Sequence, residues 1–159
     1  TSKSYILCKE ISKRLSLKDI EIEFVDARNL NLNPCHKHVT DCMKDLIIKV
    51  EATDNIIIGM GVHCYSINDA LKIILDNCFG NAISKFFGIA CAAGGEKSYL
   101  STQHLTQICM NEWRMIQLPR VVYATRSDFQ DDRLVNKDVI ERIDVFSEEF
   151  YKIGSKLIS

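Results

Sequence analysis

Two short apolar runs, each followed by a stretch of helical period, constrain this chain more than any other feature. The first is Asn55–Met60, centred on Ile56-Ile57-Ile58, and the second is Phe86–Ala92. Runs this short and this apolar are expected of central strands in a parallel sheet covered on both faces. After the first run, Leu71, Ile74, Leu75 and Cys78 recur at helical spacing within Ile67–Cys78; after the second, a helix is expected from Ser98 to Met115. A third run, Arg120-Val121-Val122-Tyr123-Ala124, is opened by Pro119. It is followed by a polar loop, Gln130–Asn136, and then by an amphipathic closing helix, Val139–Leu157, with Ile140, Ile143, Phe146, Phe150 and Ile153 expected as its buried stripe.

The upstream part reads in the same way. Ile6, Leu7, Ile11 and Leu15 mark a helix over Ser4–Leu15, and Met43, Leu46, Ile47 and Val50 mark another over Val39–Ala52. Ile20–Val25 alternates apolar residues with Glu21 and Glu23, the pattern of a strand near a sheet edge. Alternating helices and strands imply a parallel α/β sheet with helices on both faces, a three-layer sandwich. No linker, repeat or low-complexity tract interrupts residues 1–159, so one domain is expected. In a doubly wound sheet of order 2-1-3-4-5, a central first strand precedes the first helix. No residue of the sequence supplies that strand, and it is expected ahead of Thr1.

Charge and cysteine usage narrow the function. The net charge is −1 with no basic block, which argues against a nucleic-acid partner, since phosphate binding needs a positive stripe. No apolar run approaches membrane-spanning length and no secretory signal is visible, so no membrane partner is expected. The seven cysteines are an odd number, scattered and mostly within apolar runs; reduced thiols in a cytoplasm are expected.

Chemistry is sought where the strands end, because ligands of open parallel sheets sit at the C-terminal edge. Three segments fall there: Thr1-Ser2-Lys3-Ser4 before the first helix, Gly61-Val62-His63-Cys64-Tyr65-Ser66 after the first apolar run, and Ala93-Gly94-Gly95-Glu96-Lys97-Ser98-Tyr99 after the second. Hydroxyls, a lysine and a helix N-terminus suit a phosphate. His63 and Tyr65 offer flat side chains for a planar ring, and adjacent glycines let backbone N–H groups approach its polar edge. Together the three fit a planar heterocycle bearing one phosphate. Each residue also has a plainer reading: Ser2 and Ser4 as helix caps, His63 as a loop residue, Tyr65 as a core tyrosine, and the glycine pair as an ordinary turn.

The stretch Gly88-Ile89-Ala90-Cys91-Ala92-Ala93-Gly94-Gly95-Glu96-Lys97-Ser98-Tyr99-Leu100-Ser101, with Leu118-Pro119-Arg120-Val121-Val122-Tyr123-Ala124 downstream, resembles the NAD(P)H-dependent FMN reductases of flavodoxin-like fold. Tyr65-Ser66-Ile67-Asn68-Asp69-Ala70-Leu71-Lys72 is similar to the helix start after that family's third strand. The resemblance covers roughly residues 1–150 and is most specific around Gly94. It implies that Ser2, Lys3 and Ser4 close the FMN phosphate loop, and that Gly61, Val62, His63, Cys64 and Tyr65 flank the isoalloxazine. Ala93, Gly94, Gly95, Glu96 and Ser98 would line the ring's edge. The family's Pro-x-Tyr-Asn stretch is replaced here by Gly61-Val62-His63-Cys64. The implied activity is hydride transfer from NAD(P)H to FMN and on to a small-molecule acceptor such as free FMN or a quinone. No general base is implied, since the flavin carries the reactivity. A homodimer or homotetramer is the implied assembly.

Three other readings compete. A flavin-binding electron carrier, or a degenerate interaction protein, would share the fold without the reaction. Cys35, His36, His38 and Cys42 offer possible zinc ligands, but no close Cys-x-x-Cys pair. A phosphoacceptor module needs an aspartate after the middle strand, where this chain has Met60-Gly61-Val62; Asp26 and Asp128 stand at strand ends with no evident partners.

Overall fold

The computed structural model describes residues 2–158. The chain opens with helix α1 (Lys3–Leu15), whose buried residues are Ile6, Leu7, Ile11 and Leu15, the stripe read from the sequence. Thr40 caps α2 (Asp41–Ala52) by accepting the Met43 N–H. Strand β1 (Asn55–His63) turns back through β2 (Ser66–Ile67) into α3 (Asp69–Cys78). Strand β3 (Phe86–Ala93) leads through a 3-10 turn (Glu96–Ser101) to α4 (Thr102–Trp113). Short β4 (Ile116–Gln117) and β5 (Val122–Thr125) follow, then the hairpin β6 (Phe129–Gln130) and β7 (Arg133–Leu134), and finally α5 (Lys137–Leu157).

The sheet is parallel at its centre. β1 pairs with β3 from Asn55↔Phe86 to Gly61↔Ala92, and β3 pairs with β5 from Ala90↔Val122 to Ala93↔Thr125. β4 occupies the same edge of β3 one step earlier, at Phe86↔Ile116 and Phe87↔Gln117. Pro119, which has no N–H to give a ladder, lies in the interruption between β4 and β5. These strands reproduce the 3-4-5 part of the expected flavodoxin-like order.

Alternation along β3 divides the core. Phe87, Ile89 and Cys91 face α2, α3 and α4, where Met43, Leu46, Leu75, Leu105 and Trp113 pack. Phe86, Ala90 and Ala92 face α1 and α5, against Leu7, Ile11, Ile143, Phe146 and Phe150. Helix α5 comes very close: a Cβ on Gly88 would stand 2.6 Å from the Phe146 ring. Phe150 stacks between Phe86 and Phe146 with centroids 5.1 and 6.0 Å away.

Four expectations are corrected. Ile20–Val25 is not a strand. Among the described residues, no strand flanks β1 on the side away from β3 over Asn55–Gly61, so this segment has no ladder to join. Its side chains instead bind neighbouring helices: Phe24 packs edge-on to Tyr5 of α1, and Glu23 pairs with Lys49 of α2. The helix expected from Ser98 starts as a 3-10 turn, because the Ser101 and Thr102 hydroxyls donate to the Ser98 and Tyr99 carbonyls. The helix expected from Ile67 starts at Asp69, its first residues being taken by β2. Residues 130–136, read as a plain loop, contain half of β6 and all of β7, joined through Asp131 at φ 52°.

Candidate functional site

The strand register brings the expected segments to one rim. Gly61 lies beside Ala92, and Ala93 beside Thr125, so β1, β3 and β5 end together. The first turn of α1 sits over the same end: the position of a Cβ on Gly59 lies 3.8 Å from the Ser4 carbonyl oxygen and 2.8 Å from Cys8 Sγ. Glycine at 59 is therefore what lets α1 settle so close to β1.

Thr1 lies outside the described residues. Ser2 caps α1, its hydroxyl accepting the Tyr5 N–H at 3.4 Å and sharing a bond with Ser4 Oγ at 3.0 Å. The plainer reading of Ser2 thus holds, while the first N–H groups of α1 have no partner within the helix. Lys3 turns toward the β6–β7 hairpin, donating to the Asp131 carbonyl, with Asp132 at 3.7 Å and the Phe129 ring at 5.1 Å. Its charge thereby ties the start of α1 to a fourth rim segment that the sequence reading did not include.

Gly61–Tyr65, expected as a loop, is a strand end and a tight hairpin. Gly61, Val62 and His63 belong to β1, and Val62↔Ile67 and His63↔Ser66 pair across a two-residue turn. Cys64 and Tyr65 both take left-handed backbone angles, φ 48° and 58°, as such hairpin turns require. Neither is a glycine or an asparagine, so the turn carries backbone strain. Tyr65 is 62% exposed, which overturns its reading as a core tyrosine. His63 is also exposed, with Asp69 Oδ1 4.0 Å from its Nδ1.

Two residues not singled out in the sequence hold this hairpin. Asn68 stands at the N-cap of α3 but makes no cap bond; its Oδ1 accepts the Gly61 N–H at 3.2 Å, and its own N–H donates to the Gly61 carbonyl at 3.1 Å. His104 Nδ1 lies 2.9 Å from Ser66 Oγ. Asparagine before a helix signals a cap in sequence, so its use as a strand lock is invisible there.

The third segment forms an open shelf. Gly94 and Gly95 have no positive φ, and a Cβ on either would meet no atom within 4 Å. Glycine is thus not required here for an unusual backbone; it leaves the space above the shelf clear. Glu96 and Lys97 are exposed, and Ser98 is half-buried. Tyr123 donates its hydroxyl to the Gly95 carbonyl at 2.6 Å, and Tyr99 packs edge-on to it at 5.2 Å.

Asp128 organises the fourth segment. It accepts from the Thr125 N–H and hydroxyl, at 2.6 and 3.0 Å, and from Asn136 Nδ2 at 2.6 Å. Burial disfavours its charge, but these donors outweigh burial and hold its carboxyl below the ordinary range. Asp26 likewise has a partner, Arg28. Both carboxylates that the sequence left without evident partners therefore have them in the folded chain. Among the described residues no three His, Cys, Asp or Glu side chains group to hold a metal. None of the described helices is long and apolar enough to cross a membrane.

A parallel sheet in this strand order, with α1 and α5 on one face and α2, α3 and α4 on the other, is that of a flavodoxin-like protein. The family described as NADPH-dependent FMN reductase matches residues 1–130, and the chain belongs to that family. This places it among the flavin-dependent oxidoreductases. Solved structures agree in fold. An oxidoreductase from Corynebacterium diphtheriae superposes with a TM-score of 0.73 at 15% identity, over 95% of this chain and 86% of that one. An apo NADH:FMN oxidoreductase gives 0.71 at 15%, over 93% and 82%. An FMN-dependent NADH-azoreductase from Bacillus anthracis, in complex with FMN, gives 0.68 at 13%, over 94% and 91%. A comparison with curated protein sequences finds no match.

Proposed function

We propose that this chain is an NAD(P)H-dependent flavin oxidoreductase, a single flavin-binding domain over residues 1–159. It would pass reducing equivalents from a nicotinamide nucleotide to FMN and on to a small-molecule acceptor, such as free FMN or a quinone. The observation that carries this reading is the convergence of α1, the β1–β2 hairpin and the glycine shelf on one rim in a member of this family.

The residues present fit FMN. The space kept clear above Gly94 and Gly95 is where an added Cβ would intrude. The first amides of α1, with Ser2, Lys3 and Ser4, would hold the phosphate. Gly61, Val62, His63, Cys64 and Tyr65 would flank the ring, and Ala93, Gly94, Gly95, Glu96 and Ser98 would line its edge. FMN, when bound, supplies the hydride-accepting ring and the electron transfer. The chain's part is to orient and to stabilise. Backbone N–H groups of the shelf favour negative charge on the ring's polar edge, and the exposed hairpin leaves one side open to incoming nucleotide and acceptor. All seven cysteines are free, in keeping with a reducing, cytoplasmic setting. A homodimer or homotetramer is proposed by resemblance to the family.

Titration with FMN, followed by flavin fluorescence, tests the reading. Saturable binding tighter than about 100 μM, near −5.5 kcal/mol, is expected. Anaerobic mixing of the complex with NADH or NADPH should then bleach the flavin absorbance. Binding without bleaching would make the protein a carrier, and absence of saturable binding would overturn the proposal.

A further inference from the structure

Tyr123 has no role in the site as the sequence describes it, yet it makes the one side-chain hydrogen bond to the Gly94–Gly95 pair among the described residues. It stands opposite Cys91 in the register of β5 with β3, directly beneath the segment that continues into the shelf. The glycines themselves have no side chains to anchor, and nothing packs within 4 Å of where a Cβ would be. Gly95 is extended, with φ −162° and ψ 176°. A glycine in this setting has wide backbone freedom unless something outside it holds the peptide.

Peptide planarity converts that bond into an orientation. The described chain has no cis peptide, so the Gly95 carbonyl and the Glu96 N–H point in opposite directions across one rigid plane. Drawing the carbonyl toward the Tyr123 hydroxyl turns the Glu96 N–H away from β5, onto the open side of the shelf. That amide is the first of a 3-10 turn and has no partner within it. Tyr99, edge-on at 5.2 Å and 74°, fixes the ring that carries the hydroxyl. The phenol is protonated at neutral pH, and burial raises it further; Ser98 also hydrogen-bonds the same hydroxyl, so Tyr123 ties the shelf at both ends of the turn's start.

We propose that Tyr123 is a positioning residue that holds the Gly95–Glu96 peptide so that the Glu96 N–H faces the polar edge of the flavin. This rests on the flavin-binding reading above and adds a residue that reading does not contain. Tyr123→Phe keeps the ring and its packing on Tyr99 and removes only the hydroxyl.

The test uses the whole chain, with and without FMN. In the free protein, backbone NMR order parameters at residues 95–97 should fall in Tyr123→Phe while those of β1 and β3 and the melting temperature stay put. With FMN, the variant should bind about five- to tenfold more weakly, the loss expected for one oriented hydrogen bond. Its bound flavin should also be harder to reduce than in the parent. Unchanged order parameters, or equal affinity together with an equal flavin potential, would overturn the positioning role. Failure of the parent to bind FMN would instead refute the flavin reading, and the order-parameter comparison would still decide whether Tyr123 holds the peptide.

Discussion

At the scale of single residues, the same amino acid does opposite things in different places. Glycine 59 admits Cys8 Sγ and glycine 88 admits the Phe146 ring, whereas glycines 94 and 95 admit nothing belonging to the protein. The first two are packing glycines and the second two are vacancy glycines. Gly95→Ala is therefore expected to leave the melting temperature within a few degrees of the parent, since its backbone angles suit any residue. It should weaken FMN binding about tenfold, or 1.4 kcal/mol, by placing a methyl group on the shelf. Paired melting and titration experiments check this. A large loss of stability with affinity intact would show that the shelf is built differently. The cysteines show a similar division. Cys78 is pushed up to about 11 and Cys91 and Cys109 to about 12 by burial, so these thiols stay protonated, while Cys35 and Cys64 are exposed.

Among the elements, the β1–β2 hairpin holds the most information. Its turn needs two left-handed residues, a demand that Asn-Gly meets most easily, yet Cys64 and Tyr65 occupy it. Tyr65→Gly should raise stability by about 0.5–1 kcal/mol through relief of that strain. The same change removes an exposed aromatic face from the rim and should weaken FMN binding. Chemical denaturation and flavin titration of one variant read both effects. A variant no more stable than the parent would show that the turn carries no strain. This element was not legible in sequence, because Cys-Tyr gives no turn signal and Ile67 continues the helical pattern. The shift of α4 from Ser98 to Thr102 was hidden for a related reason: Ser101 and Thr102 spend their hydroxyls on the preceding carbonyls, a choice made by local geometry.

Taken as a whole molecule, the protein is set by how near its helices come to the sheet. Gly88→Ala would bring a Cβ to 2.6 Å from the Phe146 ring and 3.2 Å from the Phe150 ring. A cost of about 1–3 kcal/mol is expected, because a packed core yields only by moving side chains off their rotamers. Urea unfolding measures it, and Phe146→Leu in the same chain should recover part of the loss. An unchanged unfolding midpoint would mean that α5 rides further from β3 than described. This closeness sits one layer below the rim: α1, held over Gly59, and α5, held over Gly88, fix the face of the sheet opposite Tyr123.

The periodicities alone determined much of this protein. The stripe Ile6, Leu7, Ile11, Leu15 and the stripe Leu71, Ile74, Leu75, Cys78 are buried as read, and the apolar runs at 55 and 86 are neighbouring parallel strands. The α5 stripe is buried at Ile143, Phe146 and Phe150 but not at Ile140 or at the exposed Ile153. Burial of apolar surface is a one-dimensional code when the period is regular. What tertiary structure decided is every assignment that depends on a partner distant in the chain. Ile20–Val25 alternates like a strand but has no ladder beside it. Asn68 looks like a cap but locks Gly61. Tyr123 looks like any strand residue but reaches the Gly95 carbonyl. A hydrogen bond needs two groups at one place with one orientation, and only the folded chain determines which distant groups meet.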